Sequence, residues 1–206
     1  MSLPVEPPSW SGAAHARNIA GAALRMTYQV RQHGAHHVGT SGPLLMVCRC
    51  EGVLAGAFLH ATVPRPVHVV ANEAMGKALR QGMMAKAGVI PVTAPTAVDA
   101  QHQALAALLD ERAVVVTGSA FPVGYLVAMT GVPVMPVVLF GAEGRVATDP
   151  PRPRTRIDAY FAPAVTVDVT GDPLRTSTRA AIEEQVRQIV RDAEGLAAMR
   201  SGQAWP

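Results

Sequence analysis

The chain has 206 residues, of which 49% are hydrophobic and 16% are charged. This balance is typical of one globular domain with a substantial core, and it excludes an intrinsically disordered chain. The net charge of +3, without a basic stripe interleaved with aromatic residues, also excludes a nucleic-acid-binding protein.

The first predicted element is an amphipathic helix from Ser11 to Val30, with Ser9 or Ser11 as its N-cap. Its predicted apolar face, spaced at about 3.6 residues, consists of Ile19, Ala23, Met26 and Val30. We divide the chain accordingly into a tail with its helix (residues 1–30) and an α/β domain (residues 31–206). Residues 31–43 are predicted to form a turn and a short extended piece.

Beyond residue 43, apolar strands alternate with helices. The predicted strands are Leu44–Arg49, Val67–Ala71, Val89–Thr93, Ala113–Thr117, Pro133–Phe140 and Arg156–Phe161. The predicted helices are Val53–Thr62, Glu73–Ala87, Thr96–Arg112, Phe121–Thr130 and Arg175–Met199. Because strands of a buried parallel sheet are continuously apolar, this alternation predicts a single-domain α/β fold. Its central sheet is mostly parallel, with helices on both faces.

Several side chains of these helices are predicted to face the core. They are Ala97, Leu105, Leu108 and Leu109 in one helix, and Ile182, Val186, Ile189, Val190 and Leu196 in the last one. Five methionines are interpreted as core residues in an aromatic-poor protein, with an acyl-chain slot as the alternative; they are Met75, Met83, Met84, Met129 and Met135.

The two cysteines, Cys48 and Cys50, lie two residues apart in one apolar run and are not expected to form a disulfide with each other. This favours a reducing, cytoplasmic location. No apolar run approaches the ~20 residues of a transmembrane helix, and the Pro-rich start does not resemble a signal peptide. Peripheral attachment to the inner membrane face through the first helix, which carries Arg17 and Arg25, is the alternative to its folding back onto the domain.

Four blocks of sequence occur in an order that points to a known family. They are residues 42–56, which open with Gly-Pro and a strand; residues 67–93, which contain Gly-Val-Ile-Pro-Val; residues 131–141, with Val-Pro-Val-Met-Pro-Val; and the strand 156–161, followed by Ala-Pro. Together they resemble the lysophosphatidic acid acyltransferase (PlsC-type) family of glycerolipid acyltransferases. The resemblance runs from about Arg25 to about Arg191 and implies the PlsC-type acyltransferase fold.

The catalytic residues of that family are missing from the aligned positions. The family uses a His as general base and an Asp five residues later that orients it, and here these positions hold Cys50 and Ala55. The family's Phe-Pro-Glu-Gly-Thr-Arg segment, which binds the acceptor phosphate, aligns with residues 116–120, which contain neither Glu nor Arg. The remaining candidate substrate-binding residues are Thr117, Gly118, Ser119 and Arg49, the last standing where the family has an Asn.

The resemblance therefore implies a protein like a 1-acylglycerol-3-phosphate acyltransferase that is catalytically inactive: a lipid- or acyl-binding, scaffold or regulatory protein. Two alternatives stay open. One is an active transferase whose site is rearranged around Cys50, with His60 as base. The other is a partner subunit of an active acyltransferase. The ligands considered are an acyl chain, acyl-CoA and a lipid. A protein partner or a second copy of this chain is also considered.

Three smaller expectations complete the prediction. His33, His36 and His37 lack further ligands at the spacing that zinc requires, so no metal site and no cofactor are expected. His60 is expected to pack in its helix rather than act as a base. Glu51 is expected to point into solvent.

Overall fold

The structure is a computed structural model that describes residues 8–78, 84, 86–92, 97–119 and 121–201. Its strands are β1 (Gln29–His33), β2 (Leu44–Cys48), β3 (His68–Val70), β4 (Ala113–Thr117), β5 (Val134–Phe140) and β6 (Arg156–Phe161). Its α-helices are α1 (Trp10–Thr27), α2 (Ala55–Thr62), α3 (Glu73–Ala78), α4 (Ala97–Leu109), α5 (Gly124–Thr130) and α6 (Thr176–Ser201), and a 3₁₀ turn spans Ala35–His37.

The six strands form one sheet in the order β1-β6-β5-β2-β4-β3. Every neighbouring pair is parallel except β5 and β6, which are antiparallel. The predicted single-domain α/β fold with a mostly parallel sheet is therefore confirmed. In the described part of the chain, no helix is both long and apolar enough to cross a membrane.

Two predictions about strands need correction. Strand β1 was predicted as the end of the first helix and a turn, but α1 stops at Thr27 and residues 29–33 pair with β6. Because β1 is a partly exposed edge strand with polar residues, it lacks the apolar run that reveals a strand. Instead of the strand Val89–Thr93, there is a single parallel bridge between Ile90 and Val70, and Thr93 lies outside the described residues.

Helix α1 begins as predicted, because the Ser9 hydroxyl accepts a hydrogen bond from the Gly12 N–H. Its predicted apolar face is wrong, since Ile19 and Met26 are 69% and 90% exposed. The buried residues are instead Gly12, Ala13, Gly21 and Leu24. A Cβ on Gly12 would lie 2.2 Å from the Lys86 carbonyl oxygen, so α1 packs through small residues that carry little hydrophobic signal.

The core has two layers, one on each face of the sheet. The first lies beneath α1 and α2 and includes Cys48, Cys50 and Phe58. The second layer lies beneath α4, α5 and α6. It contains Val47 of β2, Val114 and Val116 of β4, and buried residues of those three helices.

Some predicted core residues lie at the surface. Leu109, the last residue of α4, is 59% exposed, and Leu196 of α6 is 55% exposed although the adjacent Ala197 is buried. The methionines Met75, Met84 and Met135 are buried as predicted, and Met129 is partly buried. Met83 and the side chain of Ala97 lie outside the described part of the structure.

Candidate functional site

The ends of β2 and β4 bring the two predicted site segments together. The strands are parallel neighbours, with Cys48 opposite Thr117. The Gly118 N–H continues the pairing by donating to the Cys48 carbonyl at 2.8 Å. The loops that follow the two strands therefore leave the sheet side by side at its carboxyl edge, where ligands commonly bind in α/β proteins.

Glu51 connects these two loops, which corrects the expectation that it points into solvent. Its Oε1 accepts hydrogen bonds from the Ser119 N–H at 2.8 Å and from the Ser119 hydroxyl at 2.9 Å. Gly118 has φ +79°, and a Cβ there would lie 2.7 Å from the Glu51 carboxylate. Glycine is required at this position both by its left-handed conformation and by the close approach of Glu51.

A cavity of about 190 Å³ lies between these strand ends and α6. Its apolar wall comes from the second core layer and consists of Val47, Val116, Phe121, Val123, Val186 and Val190. Its polar rim consists of Arg49, Gly118, Ser119, Glu183, Arg187 and Arg191. Three of the predicted binding residues, Arg49, Gly118 and Ser119, therefore line one cavity.

The arginines of the rim are paired with carboxylates of α6. Arg49 donates to Glu194 at 3.0 Å, and burial raises the pKa of that carboxyl while Arg49 partly opposes the shift. Arg187 and Arg191 both contact Glu184, at 2.5 and 2.7 Å. The rim charges are thus largely balanced, and the apolar wall is the dominant property of the cavity.

The fourth candidate, Thr117, lies behind the cavity rather than in it. Its side chain is buried, and its hydroxyl donates to the Val70 carbonyl at 2.9 Å. Asn72 fixes the other loop from beneath: its amide donates to the carbonyls of Cys50 and Gly52 at 3.4 and 3.3 Å, and its Oδ1 caps α3 at the Met75 N–H. Both polar side chains hold the loops in place.

Cys50 and Ala55, at the aligned base and carboxylate positions, do not line this cavity. They are 1% and 0% exposed and belong to the core layer on the other face of the sheet. Burial, reinforced by the neighbouring Cys48, raises the pKa of the Cys50 thiol well above its ordinary value. Burial likewise raises the pKa of Cys48 to about 12. Both thiols are therefore protonated near neutral pH and poor nucleophiles.

His60, the alternative base, is also enclosed in protein. It is 3% exposed, and neither ring nitrogen has a hydrogen-bond partner among the described residues. Burial, with a smaller contribution from the neighbouring His68, lowers the pKa of His60 to about 4. A neutral imidazole without a partner carboxylate or access to solvent is a packed core residue, as the sequence predicted.

The charged rim residues that the sequence did not predict come from α6, more than sixty positions beyond Ser119. Glu183, Arg187 and Arg191 stand four residues apart and so share one face of the helix. That spacing is visible in the sequence, but it is equally typical of a solvated helix face. Within the described ranges, no group of three or more His, Cys, Asp or Glu side chains is arranged to hold a metal ion.

No protein-family model matches the chain, and no curated protein matches it in sequence. A solved structure is similar in fold, the 1-acyl-sn-glycerophosphate (LPA) acyltransferase PlsC from Thermotoga maritima. The two structures superpose with a TM-score of 0.59 at 15% sequence identity, over 87% of this chain and 79% of the PlsC chain. At that identity the likeness is one of fold: this chain shares the single-domain α/β architecture of PlsC.

Proposed function

We propose that this chain is an acyltransferase-fold protein that binds a lipid or an acyl chain without transferring it by the family's His–Asp mechanism. The proposed binding place is the cavity between the ends of β2 and β4 and helix α6. A protein that binds such a ligand without catalysing acyl transfer would suit a scaffold or regulatory role in phospholipid metabolism.

The observation that carries the proposal is the apolar wall of this cavity. Valines from β2, β4 and α6, together with Phe121, present hydrocarbon to the space, and burial of a ligand's apolar surface stabilises a complex by roughly 25 cal/mol per Å². The polar atoms lie at the rim, where Ser119 and the paired arginines could meet an ester or head group. This arrangement suits a ligand with an apolar chain and a polar end.

The lack of catalysis follows from what occupies the aligned positions. A general base needs a basic atom within reach of the proton that it removes. Cys50 is buried on the far face of the sheet and Ala55 has no functional group, so neither can activate an acceptor hydroxyl. Burial of Cys50 and His60 also disfavours the alternative of a rearranged transferase site that uses the two together.

The proposal is tested by looking for the ligand directly. The protein is purified without detergent and examined by native mass spectrometry, then titrated with a dansyl-labelled medium-chain fatty acid. We expect a bound lipid or acyl species, or else saturable binding of the probe. In Val186→Phe, a larger side chain occupies part of the cavity. This variant should bind the probe about tenfold more weakly through steric exclusion.

Val98→Phe is the matched control, because Val98 is 58% exposed on α4 and does not line the cavity. It should bind the probe like the wild type. Thermal melting of both variants shows whether the fold is kept. Absence of any bound species together with absence of probe binding would refute the proposal, and so would equal affinity in Val186→Phe and the wild type.

A further inference from the structure

A second and larger cavity lies farther along α6, between the end of this helix and the outer strands β1 and β6. Its volume is about 540 Å³, within the range of roughly 300–1,000 Å³ that is usual for small-molecule sites. It shares none of its lining residues with the first cavity. No ligand was predicted from the sequence for the residues that line it.

An ion-pair cluster around the buried Asp158 lies beside this cavity, and its members His33 and Arg156 line it. The Asp158 side chain is 1% exposed, and its Oδ1 accepts hydrogen bonds from His33 Nε2 at 2.8 Å and from Arg156 at 3.1 Å. Arg156 Nε also lies 2.6 Å from Oδ2. Burial alone would raise the pKa of Asp158, but the hydrogen bonds from Arg156 and His33 outweigh it and hold the pKa below its ordinary value. Asp158 is therefore an ionised carboxylate whose charge is already matched.

This cluster fixes the orientation of His33. Its Nε2 is committed to Asp158, and its ring stacks on Tyr160 with centroids 4.2 Å apart and planes 9° from parallel. The side chain remains 39% exposed, and no described residue hydrogen-bonds the other ring nitrogen, Nδ1. Since Nε2 donates its proton to Asp158, Nδ1 is the acceptor atom of the neutral ring, and it can meet a hydroxyl of a ligand's head group, such as a protonated phosphate oxygen.

The charged side chains that line the cavity are two arginines, Arg156 and Arg200. The histidines His33, His36 and His37 also line it, whereas no Asp or Glu is among its described lining residues. Arg156 is paired with Asp158, but Arg200 is exposed, and no carboxylate among the described residues forms an ion pair with it. One free guanidinium beside an oriented imidazole is suited to a carboxylate or phosphate group.

Much of the remaining lining of the cavity is apolar. It is formed by Val138, Phe161, Pro163, Ala193 and Leu196. Leu196 is 55% exposed although it is a large aliphatic residue, so a ligand's hydrocarbon could cover it. The cavity thus offers both a free guanidinium and a hydrocarbon surface, since Arg200 and Leu196 stand four residues apart on α6.

We propose that this cavity is a second binding site, for a small amphiphilic anion that carries a carboxylate or phosphate head and a short apolar chain. Arg200 and His33 hold the head, and Leu196 with its neighbours covers the chain. Asp158 is a positioning residue that acts through His33. The site does not depend on the ligand proposed for the first cavity.

Isothermal titration calorimetry with three probes tests this site: hexyl phosphate, hexanoate and inorganic phosphate. We expect saturable binding of hexyl phosphate or hexanoate, with hexyl phosphate tighter than inorganic phosphate because of its chain. Arg200→Gln should weaken binding of the preferred probe by about tenfold, since a charged hydrogen bond to the head is lost. His33→Gln should act in the same direction while keeping an amide donor for Asp158.

Two further variants locate the binding. Leu196→Ser should weaken hexyl phosphate several-fold and leave inorganic phosphate unchanged, because only the chain contacts this wall. Arg175→Gln, which is exposed and lies outside both cavities, should leave all three affinities unchanged, whereas Arg187→Gln, on the rim of the first cavity, reports binding there. The proposal is overturned if no probe binds, or if Arg200→Gln, an exposed change that spares the fold, binds like the wild type. Loss of binding in Arg187→Gln alone would assign the anion to the first cavity instead.

Discussion

The carboxylate of Glu51 binds both the N–H and the hydroxyl of Ser119, at 2.8 and 2.9 Å. This contact joins the loop after β2 to the loop after β4, two segments that lie 68 residues apart in sequence. It also explains the glycine between β4 and Ser119, since a Cβ at Gly118 would touch the carboxylate. The edge of the candidate cavity is therefore held in place by Glu51, which does not stand at a position aligned with the family's catalytic residues.

Glu51→Ala should loosen this edge. The loss of two charge-assisted hydrogen bonds at a partly exposed site should lower the free energy of unfolding by about 1 kcal/mol. Amide hydrogen exchange at Ser119 should accelerate, as measured by NMR. Ser119→Ala is the matched comparison, because it removes only the hydroxyl bond and should have the smaller effect. Unchanged exchange at Ser119 in Glu51→Ala would contradict this account.

The two thiols should be unreactive in the folded protein. Cys48 and Cys50 are 0% and 1% exposed, and burial raises the pKa of each, to about 12 for Cys48. Iodoacetamide at pH 8 should therefore label neither in native buffer and both in guanidinium chloride, as read by mass spectrometry. Rapid native labelling at Cys50 would show an accessible thiolate and revive the rearranged-transferase alternative.

His60 should make stability depend on pH. Its folded pKa of about 4 lies below the ordinary value of ~6.5, so the unfolded chain binds the proton more readily. The free energy of unfolding should therefore rise with pH between about 4 and about 6.5, and His60 contributes about 3 kcal/mol to this rise. His68, whose pKa burial also lowers, acts in the same direction.

The variant His60→Leu isolates this contribution. It should remove most of the rise over that pH window in chemical denaturation experiments, while the smaller effect of His68 remains. Ile19→Leu is the control, because Ile19 is 69% exposed on α1 and has no titratable group, so the pH profile should stay as in the wild type. A profile in His60→Leu that parallels the wild type would mean that His60 is not the titrating group.

Asp158→Asn should destabilise the outer strands. The change weakens the hydrogen bonds from Arg156 and His33 to a buried carboxylate, and it should cost about 1–3 kcal/mol in the free energy of unfolding at pH 7. Because the folded pKa of Asp158 is lowered, its stabilisation is present above the unfolded pKa of ~3.9 and is lost as pH falls below it. The exposed Asp168→Asn is the control and should be neutral. Equal stability of the two variants would count against the cluster.

Restoring the family's residues should not restore turnover. In the double variant Cys50→His with Ala55→Asp, an imidazole and a carboxylate would replace side chains that are 1% and 0% exposed in a packed layer. A charge buried without a partner is expensive, so the variant should lose several kcal/mol of stability. An acyl-transfer assay should detect no product. A stable, active double variant would show that the two positions face a functional cleft.

The sequence predicted most of the sheet. Strands β2, β4 and β5 were predicted to within a residue or so, because burial on both faces leaves a run of Val, Leu and Met. Strand β6 was predicted with the same bounds although it contains Arg156 and Asp158, whereas the described part of the apolar segment Val89–Thr93 forms only a bridge at Ile90. Strand β1 was missed because its edge position tolerates polar residues. The buried face of α1 was predicted wrongly since close packing selects Gly and Ala over large apolar residues.

The candidate site was predictable only in part, for a similar reason. Parallel strands end at one edge, so the convergence of the loops after β2 and β4 followed from the order of the strands. The charged face of α6 could not be assigned to the site from spacing alone. The burial of Cys50 also could not be predicted from the sequence, because a residue just after a strand can turn to either face of the sheet.

The most direct test of the central claim is an acyl-transfer assay on the wild-type protein. Acyl-CoA or acyl carrier protein is supplied as donor and lysophosphatidic acid as acceptor, and phosphatidic acid is quantified by mass spectrometry. The account predicts no product above the protein-free control, because no general base stands at the aligned positions, and such a base alone contributes ~10²–10⁴-fold in rate. Protein-dependent product that persists on repurification would contradict the account. Its loss in Cys50→Ser would place the chemistry at that thiol.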